Sequence, residues 1–404
     1  MCHVRLNLER TRPFILERCF VRYADTLVEP PRQVWHVGQA ILGVHFDAKE
    51  PWKFAEIREQ LPVLTEFARL KNVDADIDLD DAHQPLQLRV TAGLHSISLW
   101  SYRGIEVTLG NQVGHRDSEE GIMEVESRVD LYAKARERLA PGAFTTAALR
   151  PMQLLIGLAT GRHTSPVGSS VVLKHSRADR SNAHPLHFTP LDLNDTPKHL
   201  RFGFYLADVQ ELGADARAAW LSRLDLISPV IDLYLAALRE LGYAELSFAV
   251  IVQALETYHR RTTSETIIDP GRWQDVSSTL AAQLAAAVPK GAPRDILAHK
   301  LAYLNELSLG QRLKGLIRSL GTVGTEICGG KLGPFVNQVT DTRNYFTHWD
   351  PRKEVKAVRG GELFYLSSRL IALLEVHLLR DLGFALDSRA CQEILRRRVR
   401  WLPK

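Results

Sequence analysis

A short segment from Asp341 to Pro351 combines residue types that can move protons and stabilise negative charge. Asn344 and His348 are four residues apart, so they share one face of a helix, and the long side chain of Arg343 can reach the same face. Histidine transfers protons near neutral pH, and a guanidinium can hold a phosphorane through paired donors. The segment therefore predicts phosphodiester chemistry at a helix end that the proline should terminate.

The same residues also fit a simpler interpretation. On spacing alone, an arginine and a histidine on one helix are more often a solvated face or a satisfied pair, because so short a pattern arises often by chance. Other segments of the chain have to decide between the two interpretations.

Three segments, in the right order, resemble the ApeA-type branch of the HEPN superfamily. Arg343, Asn344 and His348 are similar to the superfamily's motif of an arginine, commonly followed by a polar residue, and then a histidine. Leu255–Arg260 is similar to that branch's Leu-Glu-x-x-His-Arg helix, and Gly360–Leu363 with the apolar helix after it is similar as well. These matches favour the functional interpretation.

The resemblance implies a metal-independent endoribonuclease of antiphage defence (abortive infection) that cleaves RNA, with tRNA as a candidate target. It implies no cofactor and no metal. In 2′-hydroxyl transesterification His348 would be the general acid or base, Arg343 would stabilise the phosphorane, and Asn344 would orient the phosphate or the histidine. HEPN domains generally pair, so we expect a homodimer through this domain.

Five further residues are expected to support the site or to bind RNA. Glu256, His259 and Arg260 lie on the Leu-Glu-x-x-His-Arg helix. Lys331 lies among glycines whose spacing fails the P-loop pattern, which predicts a flexible loop between helices that orders against RNA. Arg397 belongs to a basic run that fits a solvated helix end, where positive charge is favourable, and secondarily a phosphate contact.

The length of 404 residues predicts more than one domain. Residues 1–212 are expected to form a β-rich, sandwich-like domain and residues 213–404 an α-helical HEPN bundle, which makes the chain an α+β multidomain protein. The predicted strands are Phe14–Val21, Val34–Phe46, Leu86–Val90, Ser96–Trp100, Ile105–Leu109, Ile122–Tyr132 and Ser169–Leu173. Phe54–Leu70 is expected to be helical or irregular, and Phe144–Leu158 helical.

Apolar periodicity predicts a series of helices in the second half. They are Ala216–Leu226, Val230–Leu241, Ala244–Arg261, Trp273–Ala287, Ile296–Leu304, Gln311–Leu320, Val336–His348, Leu363–Leu382 and Ala390–Arg400. The stretch Ser367–Leu379 is apolar on most sides, so we expect it at the centre of the bundle.

The first domain resembles the ApeA-type N-terminal domain at Phe14–Phe20, at Leu42–Phe46 with Phe54 beyond, and at Leu154–Gly161. The β-structure that the family carries ahead of these segments is not represented. We therefore expect either a naturally shorter domain or a start further upstream. Within the resemblance, this domain would sense a phage-derived trigger.

Composition narrows the class of protein. The chain is 45% hydrophobic and 24% charged, with a net charge of +4, so any RNA binding must come from local basic patches. Four scattered cysteines and a charged start without an apolar core predict a cytoplasmic protein, and no apolar run is long enough for a membrane span. The histidine-rich stretch Arg177–Pro185 fits a solvated loop better than a metal site.

Two rival functions remain open on the sequence. One is a non-catalytic RNA-binding or regulatory HEPN module, and the other is a toxin that a partner protein holds inactive. An intact Arg343 and His348 pair favours the enzyme, whereas a dimer that binds RNA without cutting it would favour the module.

Overall fold

The computed structural model describes residues 14–25, 32–42, 52–70, 73–79, 85–117, 123–173, 183–188, 200–239, 242–349 and 351–401. The chain divides into two compact units, Met1–Leu221 and Ser222–Lys404. The first unit is β-rich and the second is helical, so the predicted α+β class is confirmed.

Ten strands lie among the described residues of the first unit. They are β1 (Phe14–Asp25), β2 (Arg32–Leu42), β3 (Phe54–Gln60), β4 (Val73–Leu79), β5 (Pro85–Ala92), β6 (Ser96–Tyr102), β7 (Ile105–Asp117), β8 (Met123–Leu139), β9 (Gly168–Val172) and β10 (Ala183–Phe188). Eight of them form one antiparallel sheet in the order β1-β2-β10-β9-β3-β8-β7-β6, and β4 pairs with β5 in a separate two-stranded sheet.

One face of the large sheet builds the core of this unit. The buried residues Ile57 and Val171 are register partners on neighbouring strands, as are Leu109 and Leu131, which places each pair on one face. Three helices lie between strands in the described sequence: α1 (Leu64–Ala68), α2 (Pro141–Phe144) and α3 (Arg150–Thr160), with a π-helical turn at Thr145–Leu149 before α3. Every residue of α3 after Arg150 is buried.

Three strands differ from the sequence-based expectation. Phe54–Gln60 is a strand and not helical. Its pairing with β8 on one side and with β9 on the other overrides the helix preference of its charged residues. Val73–Leu79 was not predicted, since aspartate at every second position is unusual in a strand. Much of the predicted loop Arg177–Pro185 lies outside the described residues. Its last three residues, 183–185, are not loop but belong to β10, which pairs with β9.

The second half is built from helices. After α4 (Leu206–Glu211) come α5 (Gly213–Ala237), α6 (Ala244–Thr262), α7 (Pro270–Ala287), α8 (Ala292–Leu301), α9 (Leu309–Ser319), α10 (Gly321–Ile327), α11 (Leu332–His348), α12 (Pro351–Glu354), α13 (Gly360–Leu382) and α14 (Arg389–Leu395). A π-helical turn, Arg396–Arg400, follows α14. Helix α5 continues through Pro229 and replaces two predicted helices.

Helix α13 is central, as its sequence predicted, because most of its side chains from Leu363 to Leu382 are buried. The glycine-rich segment is not the predicted flexible loop. It forms α10 and the start of α11, and only a short turn with Gly329 and Gly330 at positive φ separates them. A side chain at Gly324 would meet the backbone oxygen of Ile317, so this glycine allows α9 and α10 to pack closely.

Among the residues that the structure describes, no helix combines the length and the apolar character needed to cross a membrane.

Candidate active site

The motif residues occupy the last two turns of α11. Arg343 and Asn344 are half-buried, whereas His348 is exposed and is the last helical residue. The helix ends because Trp349 takes a left-handed conformation (φ 48°) and its N–H donates to the carbonyl of Tyr345 at 2.6 Å. This turn stops the helix before the proline that the sequence predicted as its terminator.

The motif is not neutralised by an acidic side chain. Within the described part of the chain, neither Arg343 nor His348 lies within ion-pairing distance of a carboxylate. Nη1 of Arg343 instead donates to Oδ1 of Asn344 at 3.3 Å. Asp341, two residues before the arginine, is bound by Nζ of Lys353 at 2.6 Å. The charge of Arg343 is therefore available to an anionic ligand.

Three contacts from the segment after the motif hold α11 in place. We call the three residues that make them the clamp: Lys353, Val358 and Arg359. Lys353 binds Asp341, and the N–H of Val358 donates to the buried hydroxyl of Thr342 at 3.1 Å. Arg359 donates to the hydroxyl of Tyr345, whose ring lies in the apolar stripe of α11. The backbone that carries the motif is thus fixed by residues outside the motif.

A groove of about 550 Å³ lies beside the motif, lined by residues of α6 and α11 and by the start of α9. Arg343 and Asn344 line it from α11, and Glu256 and Arg260 line it from α6. His348 follows Asn344 by one turn on the same helical face, although it is not among the lining residues. Further polar side chains in the lining are Gln311, Lys314, Asn337 and Thr340.

Residues 250–388 match the family described as Apea-like HEPN. The helical unit contains an Apea-like HEPN domain. The match begins within α6, ends after α13 and includes all of α11. At a significant level, the chain matches no curated protein and no solved structure. The predicted resemblance is confirmed for this domain, and for the N-terminal region it stays a prediction.

Arg260 lies in the groove of the HEPN domain but is already paired. It donates to Glu256 at 3.2 Å and to Glu306 at 2.6 Å. Two carboxylates around one guanidinium leave no excess positive charge there. The structure thus brings Glu256 and Arg260 to the motif, with Arg260 as part of the groove wall and not as an open cation.

His259, next to Arg260, is buried within the HEPN domain with 1% of its surface exposed. Its Nδ1 lies 3.0 Å from the hydroxyl of Thr263 and 3.3 Å from Nη1 of Arg312, and its Nε2 lies 3.5 Å from Glu265. Burial, and then the charge of Arg312, lower the pKa of His259, against the opposing effect of Glu265. A neutral histidine with these partners holds helices together and does not line the groove.

Lys331 is exposed at the start of α11, twelve residues before Arg343. At about 1.5 Å per residue, the two residues are separated by about 18 Å along the helix. Lys331 is therefore outside the groove, and an RNA contact there would involve a more distant part of the strand.

Arg397 is paired with a buried carboxylate in the core of the helical unit. The carboxylate of Glu375, which is fully buried, lies 3.1 Å from Arg397 and 3.0 Å from Arg398 and accepts a hydrogen bond from Tyr234 at 3.0 Å. Burial acts to raise the pKa of Glu375, but the two arginine charges outweigh it and hold that pKa below its usual value. The interpretation of the basic run as a solvated helix end is therefore wrong for these two residues.

The sequence-based prediction missed the polar residues that continue the groove away from the motif: Gln311, Lys314, Asn337 and Thr340. A signal existed on α11, because Asn337, Thr340, Asn344 and His348 recur at helical spacing as one polar stripe. No such signal marks the α9 residues, whose position depends on how α9 packs against α11. Among the described residues, no cluster of three or more potential metal ligands is present.

Proposed function

We propose that this protein is a HEPN endoribonuclease that cleaves RNA by 2′-hydroxyl transesterification without a metal ion. The match of residues 250–388 to the Apea-like HEPN family supports a nuclease or RNA-related function. The observation that carries the proposal is the position of Arg343 and Asn344 in a groove, with His348 one turn further on the same face. Among the described residues, neither Arg343 nor His348 has a carboxylate partner.

The chemistry needs two proton transfers and charge stabilisation. The 2′-oxygen attacks the adjacent phosphorus and loses its proton to a base, and the bond to the 5′-oxygen breaks as that oxygen gains a proton from an acid. The products end in a 2′,3′-cyclic phosphate and a 5′-hydroxyl. His348 acts as base or acid, Arg343 stabilises the phosphorane, and Asn344 holds the guanidinium or the phosphate in orientation.

One histidine cannot serve as base and acid in the same step, so we propose a homodimer through the HEPN domain. A two-fold axis beside α11 would bring a second Arg343 and a second His348 into one cleft. Mixing inactive His348→Ala chains with inactive Arg343→Ala chains tests this, because a composite site should recover part of the activity in heterodimers. A strictly monomeric protein that cuts RNA at full rate would contradict the pairing.

The biological setting is proposed from the family. The enzyme would act in the cytoplasm in antiphage defence by cutting host RNA, with tRNA as a candidate. Detection of a phage-derived trigger by the N-terminal domain would raise its activity above a basal level. A polar recess of about 250 Å³ on β3, β7, β8 and β9 supports a binding role for that domain. Its lining includes Asp130, whose pKa burial raises in spite of nearby Arg128 and Arg58.

The test is incubation of the purified full chain with total RNA, with and without EDTA, followed by mapping of the cut ends. We expect cleavage in both conditions and ends with 2′,3′-cyclic phosphate or 3′-phosphate. A strict requirement for magnesium or manganese with 3′-hydroxyl ends would overturn the mechanism. A dimer that binds RNA and leaves it intact, with no trigger or partner removing the block, would favour the regulatory module.

A further inference from the structure

The groove extends along α11 away from the motif. From Arg343 it passes Thr340 and reaches Asn337, about 9 Å along the helix at about 1.5 Å per residue. Its other wall includes Gln311 and Lys314 of α9. At Gly310 an added Cβ would lie 3.4 Å from Cγ1 of Val336, an ordinary contact distance, so α9 and α11 approach each other closely there. The groove volume of about 550 Å³ leaves room beside the motif for a group about the size of a nucleotide.

Two cations line the groove on the side opposite α11, Arg260 of α6 and Lys314 of α9, and they differ in their partners. Arg260 is bound by two carboxylates, whereas in the described part of the chain no carboxylate pairs with Lys314. Lys314 and Arg343 thus form two open positive charges on one groove. An RNA strand offers phosphates in series, so one cation can take the reacting phosphate and the other a neighbouring one.

Asn337 supplies a side-chain amide, which suits a nucleobase better than a phosphate. Its side chain is exposed in the groove, and among the described residues no partner is found for its amide. Gln311, by contrast, uses its Oε1 to accept from the N–H and hydroxyl of Ser308. A free carboxamide offers one donor group and one acceptor side by side, which matches the edge of a nucleobase.

We infer that this groove binds the nucleotide next to the scissile phosphate of a single-stranded RNA, with Lys314 on its phosphate and Asn337 reading its base. The inference rests on the proposed ribonuclease function. Single-stranded RNA follows from the geometry of recognition, because a side chain can reach the pairing edge of a base only when that base is unstacked and unpaired.

The binding test uses the full chain carrying His348→Ala, so that RNA is not consumed, and fluorescently labelled single-stranded oligoribonucleotides in a salt titration. Adding Lys314→Ala should weaken binding to all sequences and reduce the slope of log affinity against log salt by about 0.7. Lys300→Ala on α8 removes the same charge at an exposed position outside the groove and should leave the slope unchanged. A duplex of the same sequence should bind less tightly than the single strand.

The specificity test uses the active chain and sequencing of cut sites. Asn337→Ala should flatten the base preference next to the cut by at least about five-fold, while cleavage of the least preferred sites changes little. Asn337→Asp, which reverses part of the hydrogen-bonding pattern, should shift the preference to another base. Thermal unfolding of each variant shows whether it is folded, and Lys314→Gln provides a second test if Lys314→Ala is unstable.

The outcomes distinguish a failure of the ribonuclease function from a failure of the nucleotide site. If the wild-type chain neither binds nor cuts RNA, both the proposed function and this inference fail. If the wild type cuts RNA, but Lys314→Ala behaves like Lys300→Ala or Asn337→Ala keeps the wild-type cut-site preference, the nucleotide site is wrong and the ribonuclease proposal stands.

Discussion

Two helix ends in the HEPN domain carry the same residue types in opposite settings. Helix α6 ends with His259 and Arg260, which are bound by acidic, basic and hydroxyl partners from other elements, with the histidine buried. Helix α11 ends with Arg343 and His348, which have no carboxylate partner among the described residues, and its histidine is exposed.

The comparison shows that residue type does not decide the role of an arginine and histidine pair. A cation enclosed by carboxylates contributes to the fold, since its charge is already compensated. A cation left open beside a groove attracts an anion from outside. The same domain thus uses one pair for structure, and the other pair is the one that we propose for catalysis.

The largest expected effect separates the two ends by function. Arg343→Ala and His348→Ala should each lower RNA cleavage by at least about 100-fold, because a positioned proton donor or a charge stabiliser contributes about that much. Both variants should keep the wild-type melting temperature, since neither side chain is buried. Cleavage assays with calorimetry measure this. Folded variants with full activity would show that the site lies elsewhere.

The α6 end should respond in stability. His259→Ala leaves a cavity and removes a partner of the buried Arg312, so we expect a loss of about 2–3 kcal/mol in the free energy of unfolding. Arg260→Ala, the exposed neighbour, should cost less than about 1 kcal/mol. Urea titrations compare the two. Equal losses would mean that burial does not distinguish the residues.

Acid should lower the stability that the two buried histidines, His259 and His377, give to this domain. Burial, then Arg380, lowers the pKa of His377 on α13 to about 3, and the pKa of His259 is lowered as well. Below pH 6.5 these two histidines therefore bind more protons in the unfolded chain than in the folded one. The stability that they contribute is full above pH 6.5 and falls as the pH decreases. His377 alone predicts a loss of about 2 kcal/mol by about pH 5. Glu59, whose pKa burial raises to about 7, acts in the opposite direction but lies in the first unit. A flat pH profile for the free energy of unfolding of the helical unit would therefore contradict the prediction.

A carboxylate placed at the α11 end should make it resemble the α6 end. Asn344→Asp puts a negative charge beside Arg343 and should lower RNA cleavage by about ten-fold or more. Asn344→Ala removes one hydrogen bond of 3.3 Å, worth about 1 kcal/mol, and should lower cleavage about five-fold. Single-turnover rates for both variants measure the difference. The idea fails if the alanine variant is the slower one.

The smallest effect should come from freeing a cation at the α6 end. Glu256→Gln removes one of the two carboxylates around Arg260 and should tighten RNA binding a few-fold, most at low salt. Cleavage at saturating RNA should not change, because Arg260 does not replace either motif residue. Anisotropy titrations at two salt concentrations test this, and weaker binding would be the contrary result.

Periodicity was enough to predict the helices that carry the motif and the core. Helices α6, α11 and α13 were expected close to their observed bounds, because an apolar stripe at helical spacing depends only on neighbouring residues. The strand β3 and the helix α10 were missed for the converse reason. Their form depends on pairing and close packing with segments distant in sequence.

The candidate site shows the same division. The sequence predicted Arg343, Asn344 and His348 from their order and from a family resemblance. It could not reveal that His259 is buried against Arg312, or that Arg397 pairs with Glu375, since those partners lie on other helices. Which cations are paired is a property of packing, and no short motif encodes it.

The clamp has a consequence for how the motif forms during folding. Its three contacts join residues only 12, 14 and 16 positions apart in sequence. Contacts between near neighbours close small loops, which costs little chain entropy, and they tend to form quickly. The end of α11 and the segment after it can therefore assemble as a local unit once the apolar stripe of the helix is covered. A substitution far from this stretch would then slow the folding of the domain or lower its stability. It would leave the relative placement of Arg343 and His348 unchanged in every molecule that does fold.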